Sequence, residues 1–416
     1  MKIILINLPQ LNSIDDKLDP PLGLMYIAAM LRSRNIDIKI IDLSFIDKKD
    51  WKEKIGYADV YGITVFSASL YLAIEVAKIV KEINSKCKTV VGGPHPTSLP
   101  EQTLKFFDCV ITGEGEFAPL DNIDKLNGII NMPQIKDLST ILPPARDLVN
   151  IKEYHRKVCG KQATSLTTSR GCPYKCAFCY KDVFGNRVRN FSIDSIVEEI
   201  KSIKTNYDIH ALIIYDDTFA LNRKRFYALC DEFKKLNIIF RANGDARHNT
   251  LEDFQMLYSA GCRELEFGIE SGSQKILDNI HKGVTVKQNM MAIKNAQKAG
   301  LIVKSFLMVG NPGETKETIE ETKRFIVEAN PDQFTLFTLI PLPGCDIWKN
   351  PDKYKVKITS TDFKEYYSIA GNYDAGAVVN TEELTAEEIK QLKGELVDFL
   401  KGRGQRGILQ DYYKKV

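Results

Sequence analysis

Apolar and polar positions along the first 115 residues follow two alternating rhythms. Lys2–Leu8 (KIILINL), Ile36–Leu43, Ala58–Phe66, Lys88–Gly93 and Asp108–Gly115 are short apolar runs bounded by turn residues. Leu22–Arg34 and Tyr71–Ile83 instead repeat their apolar residues at helical spacing. Strands this continuously apolar, separated by amphipathic helices, predict a parallel sheet covered on both faces: a doubly wound, Rossmann-like α/β domain.

A polar, proline-containing connector, Asn131–Lys157, reads as an ordered linker. From Ala163 the rhythm resumes, with strands at 163–169, 211–217, 238–245, 264–271, 302–310 and 333–344, and helical stretches between them. Six strand–helix units predict a partial (β/α)6 TIM-like barrel, whose working residues lie at the carboxyl ends of the strands. The expected division is 1–130, a linker at 131–160, a barrel at 161–345 and a short, mainly helical C-terminal region at 346–416. In that region Thr385 and Glu388 have capping-box spacing ahead of a helix, and Gly402–Val416 has no clear period.

Composition narrows the class. With 44% hydrophobic and 27% charged residues the chain is globular, and a net charge of +3 from dispersed basic residues does not resemble a nucleic-acid surface. No stretch approaches the 18 or so apolar residues of a membrane span, and the first apolar run stops at Pro9, as a strand does and a signal peptide does not. Nine cysteines, six of them isolated, argue for a reducing cytoplasm over a disulfide framework. The first turn, NLPQLNSIDD, lacks the glycine fingerprint of nicotinamide binders. Later strand ends are rich in small residues, which admit a bulky ligand close to backbone.

The remaining three cysteines lie together in SRGCPYKCAFCY, Ser169–Tyr180. Cys172, Cys176 and Cys179 can hold three corners of a cubane iron–sulfur cluster and leave the fourth iron open. Two other readings of the residues are a zinc site completed by Cys159 or His155, and a redox pair formed by Cys176 and Cys179.

The spacing Cys172-x3-Cys176-x-Phe178-Cys179 ahead of a six-unit barrel resembles the radical S-adenosylmethionine enzymes. That resemblance implies a [4Fe–4S] cluster on the three cysteines. Its open iron chelates the amino and carboxylate groups of S-adenosylmethionine, which is cleaved to methionine and a 5'-deoxyadenosyl radical. It also implies cofactor contacts at successive strand ends: Asp216 and Asp217 in YDDTF, Glu270 and Ser271 in FGIESGS, and Gly310 and Pro312 in LMVGNPGET, with Arg241 and Asn243 in FRANGDAR offered to the cofactor or the substrate. Phe178 and Tyr180 flank the adenine. The second-strand motif departs from the family's Gly-Gly-Glu, which leaves open which of the two aspartates meets the amino group.

The N-terminal stretches PPLGLMYIAAMLRSRNIDIKIIDL, GITVFSAS, VVGGPHPTSLPE and VITGEGE resemble the cobalamin-binding domain fused to one branch of that superfamily. The implied contacts are Pro21, Leu22, Gly23, Ser67, Ser69, Gly92, Gly93, Pro94, Gly113 and Glu114. The Asp-x-His-x-x-Gly motif of histidine-ligated cobalamin domains is absent, and His95 lies between two prolines, so no histidine is expected on cobalt.

Together these resemblances imply a cobalamin-dependent methyltransferase acting on an unactivated carbon, with a ferredoxin- or flavodoxin-like reductant and no nucleic-acid partner. The compact build suits a protein or peptide side chain as acceptor, such as a glutamine of methyl-coenzyme M reductase, beside small natural products and lipids. The rival readings are a cobalamin-binding radical cyclase or rearrangement enzyme, and a corrinoid or iron–sulfur sensor.

Overall fold

The computed structural model describes residues 1–10, 15–219, 221–247, 250–367, 376–403 and 406–407. Strands β1 (Lys2–Asn7), β2 (Asp37–Asp42), β3 (Val60–Thr64), β4 (Lys88–Gly92), β5 (Cys109–Thr112) and β6 (Gly128–Asn131) form one all-parallel sheet in the order β2-β1-β3-β4-β5-β6. Helices α1 (Leu22–Arg32), α2 (Trp51–Ile55), α3 (Leu70–Ile83), α4 (Pro94–Ser98) and α5 (Pro100–Leu104) connect them. Because the chain leaves β1 toward β2 and then returns to the other side at β3, the strand order reverses between β1 and β3. The crevice beyond their carboxyl ends, at Leu8 and at Val65–Phe66, is the natural ligand site of such a sheet.

Strand β6 has no counterpart in the apolar pattern. It is an edge strand with no fully buried residue, so no alternation was imposed on it.

The second sheet starts with β7 (Lys157–Val158), antiparallel to β8 (Lys161–Leu166). A separate two-stranded antiparallel ladder follows, β9 (Ser169–Arg170) with β10 (Arg189–Asn190). The sheet continues in parallel through β11 (Ala211–Ile214), β12 (Ile239–Gly244), β13 (Cys262–Glu270), β14 (Ile302–Val309) and β15 (Gln333–Thr338). Its two ends do not pair with one another, so the barrel is partial. The helices outside it are α6 (Ile193–Tyr207), α7 (Arg223–Leu236), α8 (Leu251–Ser259), α9 (Gln274–Asn279), α10 (Val286–Lys298) and α11 (Lys316–Ala329).

Side chains set the limits of these helices. Ser192, Asn222, Thr250, Thr285 and Thr315 accept a backbone N–H from the first turn of α6, α7, α8, α10 and α11, each cap contributing about 1 kcal/mol. Asp208, Asn237 and Asn330 end α6, α7 and α11 in the left-handed conformation that these residue types tolerate.

The connector is ordered and binds both halves. Ala145 N–H donates to Met25 O of α1 at 3.0 Å, and the buried Arg146 guanidinium reaches Glu199 of α6 and the carbonyl of Ser165 in β8, both at 2.6 Å. The C-terminal region contains α12 (Asp346–Lys349), an antiparallel pair β16 (Val356–Ile358) and β17 (Val379–Thr381), the predicted α13 (Ala386–Gly402) capped by Thr385 and Glu388, and β18 (Arg406–Gly407) beside β15. Phe363 from this region meets the His95 ring edge-on at 4.7 Å, tying the C-terminal region to the first sheet. Most of the unpatterned tail, 404–405 and 408–416, lies outside the described residues.

Candidate active site at the junction of the two sheets

The cysteine loop is held at its base by the β9–β10 ladder. Gly171 leaves that ladder at φ +90°, and a Cβ there would fall 2.3 Å from the carbonyl oxygen of Arg187, so only glycine fits. Cys179 N–H donates to Cys176 O at 3.1 Å, closing the turn between them. Buried Ala177 anchors the loop on both sides. Its N–H donates to Ile280 O (2.9 Å) and its carbonyl accepts Ile347 N–H of α12 (3.1 Å).

All three thiols are free and half-buried. Burial, reinforced by neighbouring Cys176, pushes the Cys179 thiol up to about 12, so a metal must drive its deprotonation. Among the described residues no three His, Cys, Asp or Glu side chains converge on a single-ion site. A tetrahedral zinc draws its ligands within about 2.3 Å of one point, whereas a cubane spreads its thiolates over separate irons. The two residues considered for a fourth zinc ligand are engaged elsewhere. Cys159 gives both its N–H (2.9 Å) and its thiol (3.6 Å) to Glu264, and His155 pairs with Asp15 (2.7 Å).

The two adjacent aspartates after β11 are used differently. Asp216 is buried and its carboxylate accepts the N–H and hydroxyl of both Thr168 and Ser169. Its four acceptor positions are committed to the strand that leads into the cysteines. Asp217 is exposed, accepts Gly171 N–H at 2.9 Å, and shares a cavity wall with Cys172 and Cys179.

Two adjoining cavities occupy the junction. The larger, about 760 Å³, runs from the carboxyl ends of the first sheet to the cysteine loop. Eight of the ten residues expected around cobalamin line it: Pro21, Leu22, Gly23, Gly92, Gly93, Pro94, Gly113 and Glu114. The other two, Ser67 and Ser69, line the smaller cavity of about 610 Å³, together with Phe178, Tyr180 and Glu270. Asn7, Leu8, Thr64 and Phe66 border both, so the cavities meet at the β1–β3 switch point.

Glu270 reaches its cavity through a break in register between Gly268 and Glu270, with φ +62°. Its carboxylate accepts Lys282 Nζ at 2.8 Å, and that ammonium lies 5.8 Å from the centre of the Phe178 ring.

The remaining expected residues line neither cavity. Cys176 stands at the loop turn, Asn243 Nδ2 donates to the Asp216 carbonyl (3.1 Å), and Arg241 lies within the barrel beside Glu266. Ser271 is buried against Thr322 of α11 (3.1 Å). Gly310 and Pro312 belong to a loop closed on itself: Glu314 accepts Gly310 N–H at 2.5 Å, and Asn279 Nδ2 donates to Pro312 O at 2.9 Å. The Glu114 carboxylate is also spent inside the protein, as acceptor for Arg189 (2.7 Å) and Ile135 N–H (2.5 Å).

Several residues at the site had no place in the sequence argument: Lys282, Arg170, Arg189, and the cavity-lining Phe306, Met308 and Phe337. The last group had a visible signal. Lys304, Phe306 and Met308 alternate along β14, the period-2 pattern of side chains that face a barrel interior.

Residues 166–326 match the Radical SAM superfamily and residues 18–120 match the B12 binding domain. An uncharacterized methyltransferase of Pyrococcus horikoshii is 33% identical over 94% of this chain and 90% of its own length. The chain belongs to the cobalamin-dependent radical S-adenosylmethionine enzymes. The anaerobic magnesium-protoporphyrin IX monomethyl ester cyclase of Rubrivivax gelatinosus is 28% identical over 83% of this chain and 68% of its own length. In fold, the chain is similar to the radical S-adenosylmethionine methyltransferase TsrM of Kitasatospora setae, with a TM-score of 0.67 at 17% identity, over 83% of this chain and 77% of that one.

This chain is a methyltransferase-like member whose cofactors are a [4Fe–4S] cluster, S-adenosylmethionine and cobalamin, and such enzymes draw electrons from an external reductant. The residues fit these groups. Three free thiols without a preformed single-ion site suit a cluster, and a large cavity walled by glycines at the strand ends suits a corrinoid. No helix among the described residues is long and apolar enough to cross a membrane.

Proposed function

We propose that the protein is a C-methyltransferase that acts on an unactivated carbon. The observation that carries this reading is the larger cavity, lined both by the glycine-rich strand ends of the first sheet and by Cys172 and Cys179, and meeting the smaller cavity at Asn7, Leu8, Thr64 and Phe66. When bound, the cluster supplies the electron that cleaves S-adenosylmethionine, and the corrinoid supplies the methyl group.

The chain's own residues do the positioning. Cys172, Cys176 and Cys179 hold the cluster. Asp217, its carboxylate open to the cavity, takes the methionyl amino group, while Asp216 shapes the strand beneath. Glu270 and Lys282 meet the ribose of S-adenosylmethionine, and Phe178 and Tyr180 pack its adenine and exclude water. In this reading Ser271, Gly310 and Pro312 support those contacts from behind the wall, as do Asn243 and Cys176's neighbour Ala177. Glycines 92, 93 and 113 admit the corrinoid to the strand ends, and the divisions at 1–130, 131–160, 161–345 and 346–416 follow these roles.

The acceptor is a protein or peptide side chain, such as glutamine, or a natural product, and the enzyme works in the cytoplasm with a ferredoxin- or flavodoxin-like donor. The similarity to a ring-forming cyclase supports one second reading, radical cyclisation without net methyl transfer. Anaerobic incubation with methyl-deuterated S-adenosylmethionine and reductant separates the two. Methyl transfer yields S-adenosylhomocysteine together with 5'-deoxyadenosine and a labelled product in host extract; 5'-deoxyadenosine alone supports the cyclase.

A further inference from the structure

One group of charges inside the barrel has no role in the proposed reaction. Arg241 of β12, Glu266 of β13 and Lys304 of β14 face one another, with Arg156 nearby. Arg156 is satisfied by Asp19 and by Tyr215 Oη at 3.0 Å. Lys304 Nζ holds Glu266 Oε1 at 2.8 Å. Arg241 is left with the same oxygen at 3.5 Å and makes no hydrogen bond, although its side chain is only 12% exposed and its Nε is fully buried. The register puts Glu264 opposite Arg241, but that carboxylate accepts the N–H of Cys159. Two cations therefore share one carboxylate oxygen, and the guanidinium of Arg241 keeps a buried Nε without an acceptor and only a long ion pair at Nη1. A guanidinium fork matches the two oxygens of a carboxylate or phosphate.

The surroundings say what the anion is attached to. Lys304 Nζ lies 4.9 Å from the centre of the Phe306 ring, which meets Phe337 edge-on at 5.6 Å. Both rings, with Met308, line the smaller cavity. An oxyanion at Arg241 would thus be joined to an apolar or aromatic body lying on that floor.

Accepting the methyltransferase reading above, we propose that Arg241 and Lys304 form a subsite for a carboxylate or phosphate of the methyl acceptor, whose apolar part rests on Phe306 and Phe337. The other source of such an anion is the carboxylate of S-adenosylmethionine. The acceptor is favoured because the aromatic floor of Phe306 and Phe337 adjoins Lys304, while the carboxylate of S-adenosylmethionine is expected at the open iron.

The test uses the reconstituted enzyme and two probes, 3-phenylpropionate and its neutral amide, with binding followed by ligand-observed NMR. The acid is expected to bind at least tenfold tighter than the amide. Arg241→Gln is expected to abolish that difference, and Arg241→Lys, which keeps the charge but loses the fork, to retain part of it. The S-adenosylmethionine dissociation constant of both variants stays within twofold of wild type. Equal binding of acid and amide, no binding of the acid, or an acid preference that survives Arg241→Gln overturns the proposal. A tenfold loss of S-adenosylmethionine affinity in Arg241→Gln also overturns it, by assigning the subsite to the cofactor. None of these readouts depends on turnover, so the subsite can fail while methyl transfer stands, and the reverse.

Discussion

Arg189 Nη1 lies 2.7 Å from Glu114 Oε2, joining β10 at the base of the cysteine loop to the end of β5 in the first sheet. Arg170, its partner in the ladder, reaches Glu116 at 2.6 Å and is enclosed by the rings of Tyr26, Phe184 and Phe191. The four charges are almost completely buried, so each depends on the others. The cysteine loop is thereby fixed to the first sheet.

Removing one member should be costly. Glu114→Gln leaves a buried guanidinium without its counter-charge, and such losses cost about 3–5 kcal/mol. Chemical denaturation of the purified protein should show a loss of that size. A change under about 1 kcal/mol would mean that the pair is solvated.

The adjacent aspartates should separate by phenotype. Asp216→Asn places an amide against four donors and should destabilise the fold by about 1–3 kcal/mol, with poor cluster retention. Asp217→Asn should keep near wild-type iron while binding S-adenosylmethionine at least tenfold more weakly. Equal effects on iron and affinity would contradict this division of roles.

Much of this architecture was legible in the chain. The six barrel strands and the cysteine loop carry strong local patterns, alternation in one case and spacing in the other. Edge strand β6, half exposed, had no pattern to read. Asp216 and Asp217 have the same local signal, and which one turns inward is decided by Thr168 and Ser169, 47 to 48 residues earlier. Glu114 reads as a corrinoid contact through the resemblance of VITGEGE to a cobalamin-binding domain, and it lines the larger cavity. Its commitment to Arg189, 75 residues away, exists only in the folded chain.

His95 should give the stability a dependence on acid. It is buried, its Nδ1 lies 3.0 Å from Ser67 Oγ, its Nε2 has no partner, and burial pushes its pKa down to about 4. A folded-state value below the unfolded one means stability that is complete above about 6.5 and falls as the pH drops through 4. The loss attributable to this group is about 3 kcal/mol at about 1.4 kcal/mol per unit. Denaturation midpoints between pH 7 and pH 4 should therefore decline less steeply in His95→Phe. Parallel curves would assign the decline to other groups.

The most direct test of the account is S-adenosylmethionine cleavage by the anaerobically reconstituted protein, with and without hydroxocobalamin, in wild type and in the Cys172→Ala, Cys176→Ala and Cys179→Ala variants. The account predicts a bound corrinoid after gel filtration in every protein reconstituted with hydroxocobalamin. It also predicts 5'-deoxyadenosine from the wild type alone, and no cluster iron in the three variants. Cluster iron that persists in those variants, or 5'-deoxyadenosine formed without the three cysteines, would contradict it.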